Sequence, residues 1–200
     1  MASSTQICNI AIGHLGSGKE IGSLEEKSQE AAICRRFYQI SLEATLRDYS
    51  WPFATKIATL ALIEETPNLE WSFSYRFPSD CLNIRKILSG VRNDTRQSRV
   101  PYKIGQDDGG LLLFTDQSLA QAEYTIIAPD TSRFPPDFVM AFSFRLASYL
   151  APSITGGDPY RLGDKCFKLY AVEIDRAKAS AMNEEQTDEE PESEFIRARD

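Results

Sequence analysis

The sequence predicts an α+β protein. The expected architecture is an antiparallel helical bundle built from N- and C-terminal helices, with an inserted β-strand lobe and a flexible acidic C-terminal tail. Three observations predict it. Apolar residues recur at three- and four-residue steps near both ends of the chain, the period of a helix with one buried face. Between those regions the period drops to two, as in "EWSFSYRFP", where Trp71, Phe73, Tyr75 and Phe77 alternate with other residues. From Glu184 to Asp200 there are eight acidic and two basic residues, and few apolar ones apart from Phe195 and Ile196. The expected domains are a helical bundle from 1–52 and 131–183, a β-rich lobe over 53–130, and a tail over 184–200 that is disordered or ordered on binding a partner.

Taken in order, "STQICNIAIGHL" reads as a helix that Ser3 or Ser4 can cap, with Ile7, Ile10, Ala11 and Leu15 on one face. A strand competes, because Cys8, Ile10 and Ile12 alternate. Gly16 to Gly18 break the segment. "SLEE", Ser23 to Glu26, has the form of a capping box and predicts a second helix starting there. Its stripe is Ala31, Cys34, Tyr38, Leu42, Thr45 and Tyr49, and Pro52 ends it. "KIATLALIE", "EWSFSYRFP", "LNIRKIL" and "AEYTIIAP" read as strands, with "PSDC" as a turn. "YKIGQDDGGLLLFTD" reads as a hairpin turning within Gly105 to Gly110. Residues 92–100 are polar and read as an exposed loop or hairpin. Helix returns with Phe138, Val139, Phe142, Leu146, Tyr149 and Leu150, closed by Pro152 and Gly156. Asp158 and Pro159 suit the start of another helix, whose stripe is Leu162, Cys166, Leu169, Val172 and Ala177.

At 200 residues the chain can hold one medium domain or two lobes sharing a core. The net charge of −7 lies almost wholly in the tail, which argues against a strongly basic nucleic-acid surface. No apolar run approaches the roughly 18–20 residues of a membrane span. The N-terminus lacks a basic region followed by a long apolar stretch, so the expected compartment is a reducing cytosol. Cys8, Cys34, Cys81 and Cys166 are scattered without a C-x-x-C pair and read as small buried hydrophobes rather than zinc ligands.

The most suggestive motif is "GHLGSGKE", residues 13–20. It matches the phosphate-binding pattern G-x-x-x-x-G-K-[ST] up to its last position. Glu20 replaces the hydroxyl that would ligand magnesium, and Gly22 and the "SLEE" box place the helix start too late for its amides to hold phosphate. A linker between helices is the better reading, and no cofactor or metal is expected. His14, the only histidine, has no carboxylate partner marked in the sequence and reads as structural rather than as a general base. Asp107 and Asp108 suit a turn better than a metal site. The aromatic row 71–77 suits a core better than base stacking. Arg92, Arg96 and Arg99 form a small basic cluster, a candidate for inter-subunit or tail contacts, in what is otherwise a solvated loop.

The order of several landmarks resembles a known family. "CNIAIGHLG" precedes "IGSLEEKSQEAAICRRFY", then "LRDYSWPFA", then "WSFSYRFPSDCLNIRKI". This order resembles the head-to-tail adaptors of short-tailed bacteriophages, also called tail tubular protein A. The W-x-F-A turn falls at Trp51, Phe53 and Ala54. The Y-x-x-P-x-D-C-L segment falls at Tyr75, Pro78, Asp80, Cys81 and Leu82. The resemblance covers about residues 5–88; the C-terminal helices share only the general layout. It implies a non-enzymatic virion protein at the head-to-tail junction. Such a protein forms a homo-oligomeric ring, usually a dodecamer, beneath the portal protein. The ring extends the channel for genomic DNA without sequence-specific binding and carries the tail nozzle protein; no membrane is involved. Phe195 and Ile196 are the expected portal-docking anchors. The rival classes are a nucleotide-binding enzyme and a stand-alone cytosolic interaction module.

Overall fold

The computed structural model describes residues 2–91, 98–156 and 158–184. It is an α+β structure of four main helices and seven strands among those residues. The helices are α1 (Ser4–His14), α2 (Gln29–Arg47), α3 (Pro136–Ile154) and α4 (Pro159–Asn183). The strands are β1 (Thr55–Thr59), β2 (Leu62–Glu65), β3 (Phe73–Arg76), β4 (Cys81–Ile87), β5 (Tyr102–Asp107), β6 (Gly110–Thr115) and β7 (Gln121–Ile126).

The first segment is a helix and not a strand. The Ser3 hydroxyl accepts from the Gln6 amide, and the Gln6 side chain accepts from the Ser3 amide, closing a capping box. Ile7, Cys8, Ala11 and Ile12 are buried. The helix ends at Leu15, and Gly16 follows with φ +72°, the left-handed conformation that glycine adopts after a helix without side-chain strain.

The second helix begins five residues later than "SLEE" predicts. Ser28 caps it by accepting from the Ala31 amide. The Ser23 hydroxyl accepts instead from Glu25, and the Glu26 carboxylate accepts from the Gly22 amide at 2.8 Å. The same residue types thus close a local turn, because the chain must still carry Ile21 into the core. Along α2, Ala31, Cys34, Leu42 and Thr45 are buried as expected and Tyr38 only partly so; Tyr49 lies past the helix, which ends at Arg47 rather than at Pro52.

The strands form two antiparallel sheets. One has the order β1-β7-β4 and the other β2-β3-β6-β5. "KIATLALIE" is therefore two strands, not one: β1 pairs with β7 and β2 with β3, and the chain passes between sheets at Leu60 and Ala61. Tyr75 from β3, Leu113 from β6, Ile84 and Ile87 from β4, and Tyr124 from β7 bury together, so one apolar layer serves both sheets. The aromatic alternation only half holds: Tyr75 and Ser74 are both buried, while Trp71, Phe73 and Phe77 are partly exposed. β4 breaks simple alternation as well. Register shifts after Cys81 and Ile84 put Cys81, Ile84 and Ile87 in the sheet core, while Leu82 packs on the helices. The β5–β6 hairpin turns tightly at Asp108 and Gly109. Gly105 lies within β5, where an added Cβ would come within 2.6 Å of the Phe114 ring.

All four helices contribute to a second apolar cluster, with α3 in contact with α1, α2 and α4. Phe138, Phe142, Leu146 and Leu150 are fully buried at its centre. Pro152 lies inside α3, whose last turn runs on to Ile154. Asp158 caps α4 by accepting from the Arg161 amide, as the sequence implies. The buried stripe of α4 is Cys166, Tyr170, Ile174, Ala177 and Ala181. Leu169 and Val172, expected on that stripe, face solvent.

Candidate interaction surfaces

The linker "GHLGSGKE" is built as a return path. Gly13 and His14 finish α1, and Gly16 turns the chain. The Asn9 side chain then grips Ile21 from both sides, donating to its carbonyl at 3.0 Å and accepting from its amide at 2.9 Å. Ile21 is buried beside α1 as a result. Lys19, the residue a phosphate loop would aim at its ligand, pairs with Glu30 at 2.9 Å and holds that carboxyl below its ordinary range. No helix starts at Gly18–Lys19 and no strand feeds Gly13. The segment lacks the amide cradle that binding a phosphate requires.

His14 is also explained by packing. Its ring stacks on Phe144 with centroids 3.9 Å apart, and Nε2 lies 3.0 Å from the Ser143 hydroxyl. That hydroxyl donates to the Met140 carbonyl, so His14 Nε2 is the donor of the pair. Burial lowers its pKa, because desolvation disfavours the charged ring.

Two polar joints hold the layers together. In the first, Arg85 of β4 reaches the C-terminal end of α2. Its guanidinium donates to the carbonyls of Leu46 at 2.8 Å, Arg47 at 3.5 Å and Tyr49, and its Nε donates to Thr125 on β7. Leu46 and Arg47 are among the carbonyls a helix leaves without partners, at the negative end of its dipole. In the second, Asp48 just past α2 accepts from Arg145 of α3 at 2.6 Å and from the Tyr170 hydroxyl of α4. Arg145 also donates to Tyr170 at 2.7 Å and lies over its ring. Burial, and then the bond to Asp48, raises the Tyr170 pKa, so the hydroxyl remains a donor. No signal in the sequence marks these partners, which lie up to 122 residues apart.

The landmark residues have structural contacts of their own. Trp51 is buried against Tyr49, Phe53 and Phe138 and donates to the Thr45 carbonyl. Ala54 is fully buried. The Tyr75 hydroxyl donates to the Gln117 carbonyl. Asp80 receives Lys56 at 2.6 Å and the Tyr124 hydroxyl at 2.9 Å, tying the turn before β4 to β1 and β7. Its pKa is lowered, first by the Lys56 bond.

A cleft of about 650 Å³ between the two sheets is lined by residues including Leu60, Arg76, Phe77, Cys81 and Leu111. Its cysteine is held as a thiol: burial, and then the Asp80 charge, pushes the Cys81 pKa up to about 12. Asp107 is a structural residue bonded to two residues that line the cleft. Arg76 binds it through both guanidinium nitrogens, at 2.8 and 3.1 Å, and it accepts from the Gly109 amide. Among the described residues no group of three potential ligands could hold a metal ion. No described helix is long and apolar enough to cross a membrane.

Of the basic cluster, Arg99 is exposed; Arg92 and Arg96 lie outside the described residues, as do Phe195, Ile196 and all of the tail beyond Glu184. The most exposed apolar surface on the helices is on α4, where Tyr160, Phe167, Val172 and Met182 are all more than half exposed. Comparison with protein-family models finds no match, and comparison with curated proteins finds none either.

Proposed function

We propose that the chain is a structural virion protein, a head-to-tail adaptor of a short-tailed bacteriophage. In this reading copies assemble into a ring beneath the portal protein, extend the DNA channel and support the tail nozzle protein. The helices from both ends of the chain form an antiparallel bundle that serves as the ring wall. The sheets form a lobe directed outward or toward the tail, with Arg92, Arg96 and Arg99 on a contact surface. The acidic tail docks on the portal through Phe195 and Ile196.

The observation that carries the reading is the ordered set of landmarks over residues 5–88. Those residues occupy constrained positions: Trp51 and Ala54 are buried, and Asp80 ties three elements together. Such positions preserve a scaffold rather than a reaction. A nearly neutral body also suits a channel lining, since dense lysine and arginine contacts would retain DNA through counterion release.

Electron microscopy of the full chain mixed with portal particles from the same source tests the proposal. Rings of twelvefold symmetry seated on the portal are expected. A chain that stays monomeric and leaves the portal bare overturns it. Binding of ATP or GTP that is lost in Lys19→Ala would point instead to the nucleotide-enzyme class.

A further inference from the structure

The two edges of the four-stranded sheet match each other. Its order β2-β3-β6-β5 leaves β2 and β5 each paired on one side only among the described residues. Neither strand contains proline, and β5 pairs with β6 in an unbroken six-residue register. Each strand therefore presents backbone amides and carbonyls along its free side, the template to which another strand adds.

The side chains at these edges end rows that cross the whole sheet. On the face toward the sheet core, Leu62 stands opposite Tyr75, Tyr75 opposite Leu113, and Leu113 opposite Ile104. Tyr75 and Leu113 are buried, whereas Leu62 and Ile104 at the ends are nearly half exposed, as is Ile63 at the β2 bulge. On the other face the next row runs Glu64, Ser74, Phe114, Lys103. It begins with an acid and ends with a base. Glu64 makes no ion pair among the described residues, and Lys103 reaches only Glu70, at 3.7 Å with both side chains well exposed. Such a surface contact is worth little.

We infer that β5 of one copy of this chain adds antiparallel to β2 of a second copy, setting Ile104 against Leu62 and Lys103 against Glu64 of that copy. The direction fits, because the strands alternate across the sheet and a β2 placed beside β5 runs opposite to it. The offset fits as well. The bulge that sets Leu62 against Tyr75 and Glu64 against Ser74 makes the same one-residue shift that the two new pairs require. Both rows then continue into the second copy, the apolar one on the core face and the charged pair on the outer face. Charge selects this pairing over like with like. Two β2 edges would bring Glu64 and Glu65 against their own kind, and like charges across strands repel. Asp107, the only acid in β5, is already engaged by both terminal nitrogens of Arg76. Because each copy uses one edge of each kind, the contact is head-to-tail and admits further copies. It supplies a contact for the ring proposed above but stands on the sheet alone.

Disulfide trapping in the full chain is the test. The edges of one sheet lie three strand spacings apart, ~14 Å at about 4.8 Å each, too far for a bridge within one copy. All four native cysteines are buried, so introduced thiols are the accessible ones. Glu64→Cys with Lys103→Cys, oxidised by glutathione disulfide, should give a ladder of covalent oligomers. Either substitution alone should leave monomer, and the two single variants mixed should stop at dimer. Glu64→Cys with Gln106→Cys, out of register along β5, should cross-link about tenfold less. In sedimentation, Lys103→Glu should weaken self-association about tenfold, and adding Glu64→Lys should restore it. Absence of a ladder overturns the inference, as does a ladder equally strong out of register. Dimers from Lys103→Cys alone overturn it too, because two β5 edges then meet each other. Twelvefold rings on a portal that form unchanged with Lys103→Glu would overturn this contact and leave the adaptor reading standing.

Discussion

His14 makes the stability of this protein depend on pH in a direction its environment determines. Burial against Phe144 lowers its folded-state pKa, so below the ordinary value of about 6.5 the unfolded chain takes up a proton that the folded chain resists. Stability is therefore complete above that value and falls as pH drops through it toward the lower folded value. Thermal melts from pH 7.5 down to 5.5 should show a declining midpoint, and His14→Gln should flatten that decline. Since His14 is the only histidine, no other side chain with an ordinary pKa there obscures the comparison. A slope unchanged in the variant would refute the assignment. The sequence supported a structural reading of this residue, but its partners could not be read there: Ser143 lies 129 residues away and is supplied by α3.

Helix α2 shows where local pattern and tertiary demand part company. Both "SLEE" and Ser28 offer a cap, and propensity alone favours the earlier one because it completes a box. The deciding factor is Ile21, which the Asn9 clamp draws into the core and which leaves residues 22–27 to form a turn. Ser28→Ala should therefore destabilise the protein by about 1 kcal/mol, the usual cost of losing an N-cap, and Ser23→Ala by only a few tenths. Chemical denaturation of the two variants measures this, and the reverse ranking would place the start of α2 at Ser23. Where the cap was unambiguous, as at Asp158, the helix boundary was legible in advance. Sheet pairing was less so. The split of "KIATLALIE" depends on β7 and β3 competing for adjacent stretches of one apolar run, and the three-residue spacing of Cys81, Ile84 and Ile87 depends on bulges. Neither leaves a local mark. The exposure of Leu169 and Val172 escaped for a related reason: α3 and Tyr170 select which face of α4 is inner.

For the whole molecule, the joints between the helical core and the sheet core determine whether the two unfold together. Each has its own buried cluster, and among the described residues the bridges between them include Leu82 and Ile126, which pack on the helices, and Arg85, which latches β4 and β7 to the end of α2. Arg85 is the strongest of these, because its planar fork satisfies several carbonyls at once where a lysine would satisfy one. Its partners include the last carbonyls of α2, at Leu46 and Arg47, which have no intrahelical donor. Arg85→Met keeps the length and apolar stem of the side chain but removes every one of these bonds. The expected cost is about 2–4 kcal/mol, from a charged hydrogen-bond donor lost and carbonyls left unpaired at the joint. Because the loss falls at the boundary and not inside either cluster, it should lower the coupling more than it lowers either core. Calorimetry of the unaltered chain should give one transition, whereas Arg85→Met should give two, the lower one reporting the sheets. Arg85→Lys should fall between them. A variant that melts in one transition at an unchanged midpoint would mean that Leu82, Ile126 and the Trp51–Thr55 connection are enough to bind the two cores into one cooperative unit.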